Sequence, residues 1–309
     1  MLSSWRTRLY HLDDDLSKFW KDHGNLFHVI LNLPLFACLV GTTYKNAPAQ
    51  YQSKGIFHLS NLGNWQEGVG WFSFFLGSIA FNSLQFLQGV HDNRKEDFRH
   101  CRWLCILYSI GIRLFALGLF TTGCFQQSYN KPLHQIGFVL AGFAFIFLVA
   151  PFDLRVSYIY FKDAKSHKKL KLCLLVIRSL FFILLIVIGV TFFVCFELSK
   201  KEWTSGKKEW LADHNMTECP STVLTHIIEN NLTYPYYYPC KSKTFWEDGD
   251  PGWDMFRWSA FSELAMFTVL VLYSLTYASD LWPDLFRYSA SKSGGSSVNS
   301  QEKLQTAGL

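Results

Sequence analysis

Charged side chains are scarce in this chain of 309 residues. Only 17% of the residues are Asp, Glu, Lys or Arg, whereas 50% are hydrophobic and 17% are aromatic. The first 25 residues are polar and include Asp13, Asp14 and Asp15, so they lack the apolar core of a cleavable signal peptide. We therefore expect a membrane protein that inserts through its own first span and has no separate soluble catalytic domain.

Sequence motifs of catalysis are also missing. The chain has no GxSxG nucleophile elbow and no glycine-rich phosphate loop. His28 and His134, the histidines nearest the apolar segments, fall at opposite membrane faces, which argues against a shared zinc ion. His91-Asp92 is more typical of a solvated loop dipeptide than of an acid/base pair. We expect a protein that is not an enzyme and that needs no cofactor and no metal.

Long apolar segments are what the sequence has in abundance. An α-helix needs about 20 mostly apolar residues to cross a hydrocarbon core of about 30 Å. The first segment is the weakest, because it is short and contains Asn32 and Pro34. The pattern predicts an all-α polytopic membrane protein, with one six-helix transmembrane domain over residues 26–285. The predicted spans are residues 26–42, 67–90, 103–124, 134–152, 172–196 and 258–282.

Lys and Arg fall mainly in every second gap. The N-terminal segment 1–25 and the loops 91–102 and 155–171 are rich in basic residues, whereas the first and third gaps are poor in them. The positive-inside bias therefore predicts that both termini are cytosolic. The net charge of +5 then lies beside the membrane. Its simplest role there is topology determination, with attraction to anionic membrane lipids second and nucleic-acid binding a distant third. The two basic loops are also candidate sites for a cytosolic protein partner; the oligomeric state stays open.

The fifth gap, residues 197–257, has features of a luminal or extracellular loop. Asn215 and Asn231 begin N-glycosylation sequons, which are used only on that side of the membrane. The chain ends in a Ser- and Gly-rich stretch, residues 286–309, which is predicted to be a disordered cytosolic tail.

Two of the eight cysteines lie in this loop. Cys219 and Cys240 flank the second sequon, and in an oxidising compartment a disulfide between them is the simplest expectation. Such a loop closure would contribute about 3 kcal/mol. Cys124 and Cys195, at the luminal ends of their spans, are the alternative pair.

Polar residues inside the spans cost free energy unless they have a partner or face a cavity. Ser78, Asn82 and Gln85 form a stripe that we expect to face the bundle interior. Interhelical hydrogen bonding is the more common role of such residues, and a lipid or solute pocket is the alternative. Arg113 and Glu263 lie at similar predicted depths, and we hypothesise an ion pair between them. Arg178 lies nearer the cytosolic face, and we expect its long side chain to extend towards water.

Short motifs in and around these spans resemble those of a known family. The hairpin between the third and fourth spans reads Phe125-Gln126 and then Leu133-His134-Gln135-Ile136-Gly137, and the sixth span reads Ser259-Ala260-Phe261-Ser262-Glu263, followed by Asp280. These elements are similar to those of the DRAM family, the DNA-damage-regulated autophagy modulators and their six-span Frag/DRAM/Sfk-type relatives. The matching residues are Phe125, Gln126, His134, Gly137, Ser259, Glu263 and Asp280.

The resemblance implies a function as well as a fold. It implies a non-enzymatic membrane regulator, which modulates autophagy and lysosomal function or organises phosphoinositides at the plasma membrane. Another branch acts in remodelling of GPI anchors. The alternative is therefore a lipid-handling protein, either a remodelling factor or a small transporter, with a polar pocket at Asn82, Gln85, Arg113 and Glu263. The family branch, and with it a lysosomal, endomembrane or plasma-membrane location, stays open.

Overall fold

The structure is a computed structural model that describes residues 24, 26–45, 58–59, 66–94, 102–125, 127–162, 168–213, 225–229, 232–236 and 249–278. Most of these residues lie in long helices. In chain order the helices are α1 (Leu26–Lys45), α2 (Gln66–Arg94), α3 (Arg102–Cys124), α4 (Gln127–Ala144), α5 (Ala150–Lys162), α6 (Lys168–Asp213) and α7 (Trp253–Leu275). A π-helical turn, Phe145–Val149, joins α4 to α5 without a break.

Five of the helical segments in the described residues are long and apolar enough to cross a membrane. They are α1, α3, the continuous segment Pro132–Lys162, α6 and α7. Helix α2 has 29 residues and is long enough, but Asn82, Gln85 and Gln88 interrupt its apolar character and it is not one of the five. The helical integral membrane protein is thus confirmed, whereas the sixth span and the cytosolic position of both termini stay predictions.

Helices α3 and α4 are in backbone contact. A Cβ atom added to Gly118 would lie 2.5 Å from the Ala141 nitrogen, and one added to Gly137 would lie 2.7 Å from the Thr122 nitrogen. Only glycine allows this approach, so the family-motif residue Gly137 has a packing role. Helix α4 begins with a kink at Asn130, where Pro132 removes a backbone donor.

Helix α6 is much longer than predicted. It has 46 residues, about 70 Å at 1.5 Å per residue, so the predicted start of a loop at residue 197 is wrong and the helix continues to Asp213. The reason is a repeat that hydropathy does not register. Its buried residues recur at intervals of seven or four: Arg178, Leu185, Phe192, Ser199, Trp203 and Trp210. This spacing keeps one seam of the helix in contact with its neighbours along its whole length.

The fifth gap also contains the only strands in the described residues. Thr225–Glu229 (β1) and Leu232–Tyr236 (β2) pair antiparallel, with Ile227 opposite Tyr234. The all-α prediction therefore holds for the membrane helices but not for this short hairpin. Asn215, Asn231, Cys219 and Cys240 lie outside the described residues. Cys124 and Cys195 are free thiols, so the alternative disulfide between them is not formed.

Candidate functional site

A buried polar cluster joins the segment before α2 to the first turns of α7. Glu263 Oε2 accepts a hydrogen bond from the Leu59 backbone N–H at 2.7 Å and lies 3.1 Å from His58 Nδ1. The other ring nitrogen, His58 Nε2, lies 2.8 Å from Ser259 Oγ. We call His58, Ser259 and Glu263 the His58 cluster; each is at most 3% exposed. Ser259 and Glu263 are family-motif residues, whereas the sequence pattern gave no reason to single out His58.

The hydrogen bonds connect the three side chains of this cluster in a row. The Ser259 hydroxyl donates to the Phe256 carbonyl at 2.7 Å, within its own helix. The same oxygen lies within hydrogen-bond distance of His58 Nε2, and His58 Nδ1 lies within hydrogen-bond distance of Glu263 Oε2. One imidazole ring thus connects the Ser259 hydroxyl to the Glu263 carboxylate.

The order serine, histidine, carboxylate is also that of a nucleophilic triad, but the surroundings favour a structural role. Phe192, Phe196 and Phe256 enclose the His58 ring, with centroids 5.6, 5.7 and 4.8 Å away. Ser259 is fully buried and its proton is directed at a helix carbonyl. A nucleophile needs access to substrate and a proton directed at its base, so the cluster acts as a tether between two parts of the chain.

His134, the histidine of the hairpin motif, ties α3 to α4. Its Nδ1 donates to the Thr122 carbonyl at 3.0 Å and to the Phe125 carbonyl at 2.9 Å, two acceptors left open at the end of α3. Of the family-motif residues, the structure thus joins Ser259 and Glu263 in the His58 cluster, and His134 joins α3 to α4. Gln126 and Asp280 lie outside the described residues.

The predicted intramembrane polar residues do not form one pocket. Asn82 is buried and accepts a hydrogen bond from His28 Nδ1 at 2.8 Å, as expected for interhelical bonding. Gln85 faces outwards. Arg113 is also exposed and donates to Ser109 Oγ at 2.6 Å on its own helix. The proposed ion pair between Arg113 and Glu263 is therefore wrong, because the two helix faces diverge where depth alone suggested contact.

A second polar cluster surrounds Arg178, which is 1% exposed. Its guanidinium donates to the Thr276 hydroxyl at 2.9 Å, to the Thr276 carbonyl at 3.0 Å and to Ser157 Oγ at 2.7 Å. The same group lies over the Tyr277 ring, 5.1 Å from its centroid. The expectation that Arg178 extends to water is wrong, because acceptors from α5 and from the end of α7 meet at its depth.

Asp153 provides the negative charge of this region and is fully buried. The Tyr108 hydroxyl donates to Oδ1 at 3.1 Å, and the Tyr277 hydroxyl donates to Oδ2. Ser157, one turn later, donates to the Asp153 carbonyl and accepts from Arg178. We call Asp153, Arg178 and these partners the Arg178 cluster. Of these residues, only Arg178 stands out in the sequence, as a charge inside an apolar segment.

Two cavities lie between the helices. The outer cleft, of about 240 Å³, is bounded by α3, α4, the π-helical turn, α6 and α7, and its lining is apolar apart from Thr122. The inner cavity, of about 40 Å³, lies between α1, α2, α3 and α7 and includes Asn32, Ser83 and Ser274. Neither cavity is lined by the His58 cluster. In the described residues, no group of three or more His, Cys, Asp or Glu is placed to hold a metal ion.

Comparison with known protein families identifies the family of the chain. Residues 65–284 match the model of the Frag1/DRAM/Sfk1/Cwh43P N-terminal domain. The Arg178 cluster, most of both cavity walls, and Ser259 and Glu263 of the His58 cluster fall within the matched range. His58 itself precedes it. Neither a curated protein nor a solved structure matches the chain.

Proposed function

Because the chain belongs to the Frag1/DRAM/Sfk1/Cwh43P family, we propose that it is a non-enzymatic membrane regulator whose cytosolic face recruits anionic partners. For its cellular role we propose modulation of autophagy and lysosomal function or organisation of phosphoinositides at the plasma membrane. The support from the structure is a cluster of basic residues at the predicted cytosolic ends of α5 and α6.

This basic patch consists of Arg155, Lys162, Lys168, Lys169 and Lys171, all exposed except the half-buried Lys171. Two contacts hold the helix ends side by side. Lys168 Nζ lies 5.4 Å from the Phe161 ring centroid, and Lys171 Nζ lies 5.9 Å from that of Tyr160. Five positive groups are therefore presented from one hairpin.

The position of the lysines is unfavourable for the helix itself. Lys168, Lys169 and Lys171 lie in the first turn of α6, where a positive charge opposes the helix dipole by about 0.3–1 kcal/mol per residue. Attraction to anionic headgroups is worth about 1 kcal/mol per basic residue beside a membrane and offsets that cost. Helix stability does not explain the patch, whereas an anionic surface does.

Substitutions that remove the charge of the basic patch test whether it recruits anionic partners. We expect a phosphatidylinositol phosphate to raise the melting temperature of the detergent-purified protein, and the triple variant Lys168→Gln, Lys169→Gln, Lys171→Gln to lose most of that rise. The matched control, Lys201→Gln, Lys207→Gln, Lys208→Gln, removes the same charge from the opposite end of α6. An equal loss in both triple variants would contradict recruitment by the basic patch.

The cellular role needs a test in intact cells. A C-terminally tagged protein imaged against lysosomal and plasma-membrane markers separates the two proposed roles: lysosomal signal favours autophagy, and surface signal favours phosphoinositide organisation. Glycosidase sensitivity of the same sample tests the predicted orientation through Asn215 and Asn231. An unglycosylated loop would contradict that orientation.

A second function, lipid handling, is favoured by the outer cleft. It lies within the membrane segments, and Val139, Phe143 and Phe147 on its rim are 52%, 52% and 62% exposed. An apolar opening at this depth meets acyl chains. Gly189 lines the cleft and has nothing within 4 Å of an added Cβ, so Gly189→Leu should fill the space without distorting the backbone.

Copurification tests this second function. We expect lipid to remain with the purified protein through detergent exchange, and to be lost from Gly189→Leu. Gly41→Leu is the control, because Gly41 also has nothing within 4 Å of an added Cβ but lies on α1, outside the cleft. Equal lipid content in the two variants would contradict binding in the cleft.

A further inference from the structure

One buried polar atom lies in the inner cavity without a hydrogen-bond partner. Asn32 is 2% exposed and lines the cavity, and its Nδ2 donates to Ser83 Oγ at 3.5 Å. Its Oδ1 has no partner within the described part of the chain. A buried carbonyl oxygen in this state destabilises a fold, so an occupant that donates to it gains more than an ordinary hydrogen bond.

The inner cavity and the outer cleft are neighbours. Phe115, Leu119, Phe145, Phe267 and Leu270 line both of them, so a single layer of side chains separates the two spaces. One wall of the cleft is the π-helical turn, an irregularity that is frequent at functional sites. A ligand with its apolar body in the cleft must pass between the side chains that line both spaces for its end group to reach Asn32.

The lining determines the chemistry of that end group. No charged side chain lines either cavity, and a phosphate group there would lose its hydration without a counter-charge. The end group is therefore neutral. A hydroxyl suits the site, because it can donate to Asn32 Oδ1 and accept from Ser83 at the same time.

The volume determines the shape of the ligand. At about 40 Å³, the inner cavity has room for a hydroxyl and its carbon, whereas a ring system does not fit. The body in the cleft must therefore be flexible. Resting on the second proposed function, we propose that the cleft binds a neutral lipid with flexible acyl chains and a free hydroxyl, the class of diacylglycerol, and that the hydroxyl bonds to Asn32.

Photolabelling of the full-length protein in nanodiscs tests this assignment. The probes are diacylglycerol and phosphatidylcholine carrying the same photoreactive acyl chain, and a photoreactive sterol. We expect diacylglycerol to label the wild-type protein most strongly, with cross-links on cleft residues. Asn32→Leu should reduce diacylglycerol labelling about fivefold, the effect of one neutral hydrogen bond, and leave phosphatidylcholine labelling unchanged.

The variants test lipid binding by the cleft separately from hydroxyl binding at Asn32. Gly189→Leu should abolish labelling by both acyl probes, whereas Gly41→Leu should preserve it; if Gly189→Leu is labelled like wild type, lipid handling by the cleft is wrong. If Gly189→Leu blocks labelling but Asn32→Leu affects both acyl probes equally, or neither, the cleft binds acyl chains only and the hydroxyl site is wrong. Stronger labelling by the sterol than by diacylglycerol would contradict the proposal that the ligand has a flexible acyl body. Asn32→Leu removes an unpaired polar atom, so its melting temperature should be at least that of wild type, which excludes misfolding as the cause of lost labelling.

Discussion

The His58 cluster and the Arg178 cluster lie at opposite ends of α7. Both provide partners for buried polar and charged groups, but they do so differently. At the first, one carboxylate contacts its histidine directly and also binds a backbone N–H. At the second, the guanidinium donates to Ser157 and Thr276 and lies over the Tyr277 ring, while the Tyr277 hydroxyl donates to the Asp153 carboxylate. The first cluster fastens a connecting segment to one helix, whereas the second fastens α5, α6 and α7 to one another. Removal of a charge should therefore cost more at the Arg178 cluster.

The largest effect is expected from Arg178→Met. Methionine fills much of the volume but leaves buried Asp153 without the cation beside it, which should lower the free energy of unfolding by about 3–5 kcal/mol. Unfolding in mixed detergent micelles measures this loss. Arg178→Lys is the matched control and should retain part of the stability, because an ammonium keeps the charge but not the planar arrangement of donors. If Arg178→Met lowered the free energy of unfolding by less than Glu263→Gln does, removal of a charge would not cost more at the Arg178 cluster.

Glu263→Gln should cost about 1–3 kcal/mol. The glutamine oxygen can still accept from the Leu59 N–H, but the amide presents no negative charge to His58 Nδ1. Unfolding in mixed detergent micelles measures this loss of free energy as well. Limited proteolysis between α1 and α2 should also become faster, since the tether weakens while the helices remain packed. Unchanged proteolysis would show that other contacts hold this segment.

The predictability of the two clusters differs for a physical reason. Ser259 and Glu263 could be found because they belong to one short motif and lie four residues apart, about one turn, on α7. Arg178 and Asp153 could not, because their burial depends on Thr276 and Tyr277 arriving from a segment about a hundred positions away. Span positions follow from hydropathy alone, whereas the length of α6 depends on a seven-residue seam that continues past the apolar region.

Ser259→Ala removes a single neutral contact and should cost about 1 kcal/mol. His58 Nε2 then loses its acceptor while Glu263 keeps its bond to Nδ1. A double-mutant cycle with Glu263→Gln should show coupling between the two positions, since both act through one imidazole ring. Strict additivity of the two losses would mean that His58 does not connect them.

The smallest effect is expected from Arg113→Gln. Arg113 is exposed and bonds only within its own helix turn, so the change in unfolding free energy should stay within about 0.5 kcal/mol. The ion pair with Glu263 that depth suggested would require a loss several times larger. This variant also serves as the charge-loss control for Arg178→Met.

Helix α6 carries its seam from Arg178 to Trp210 without interruption, across the boundary between hydrocarbon and water. The inner and outer halves of α6 therefore keep a fixed angle relative to each other about the helix axis. One residue inserted between Ser199 and Trp203 would turn the outer half by about 100° relative to the inner half, whereas seven would restore the phase to within about 20°. Gly206, where an added Cβ would lie 2.7 Å from Pro251, must sit at its present angle for the chain to enter α7. The outer part of the protein is thus oriented by the same helix that anchors its membrane core, and a rotation imposed at either end is transmitted to the other.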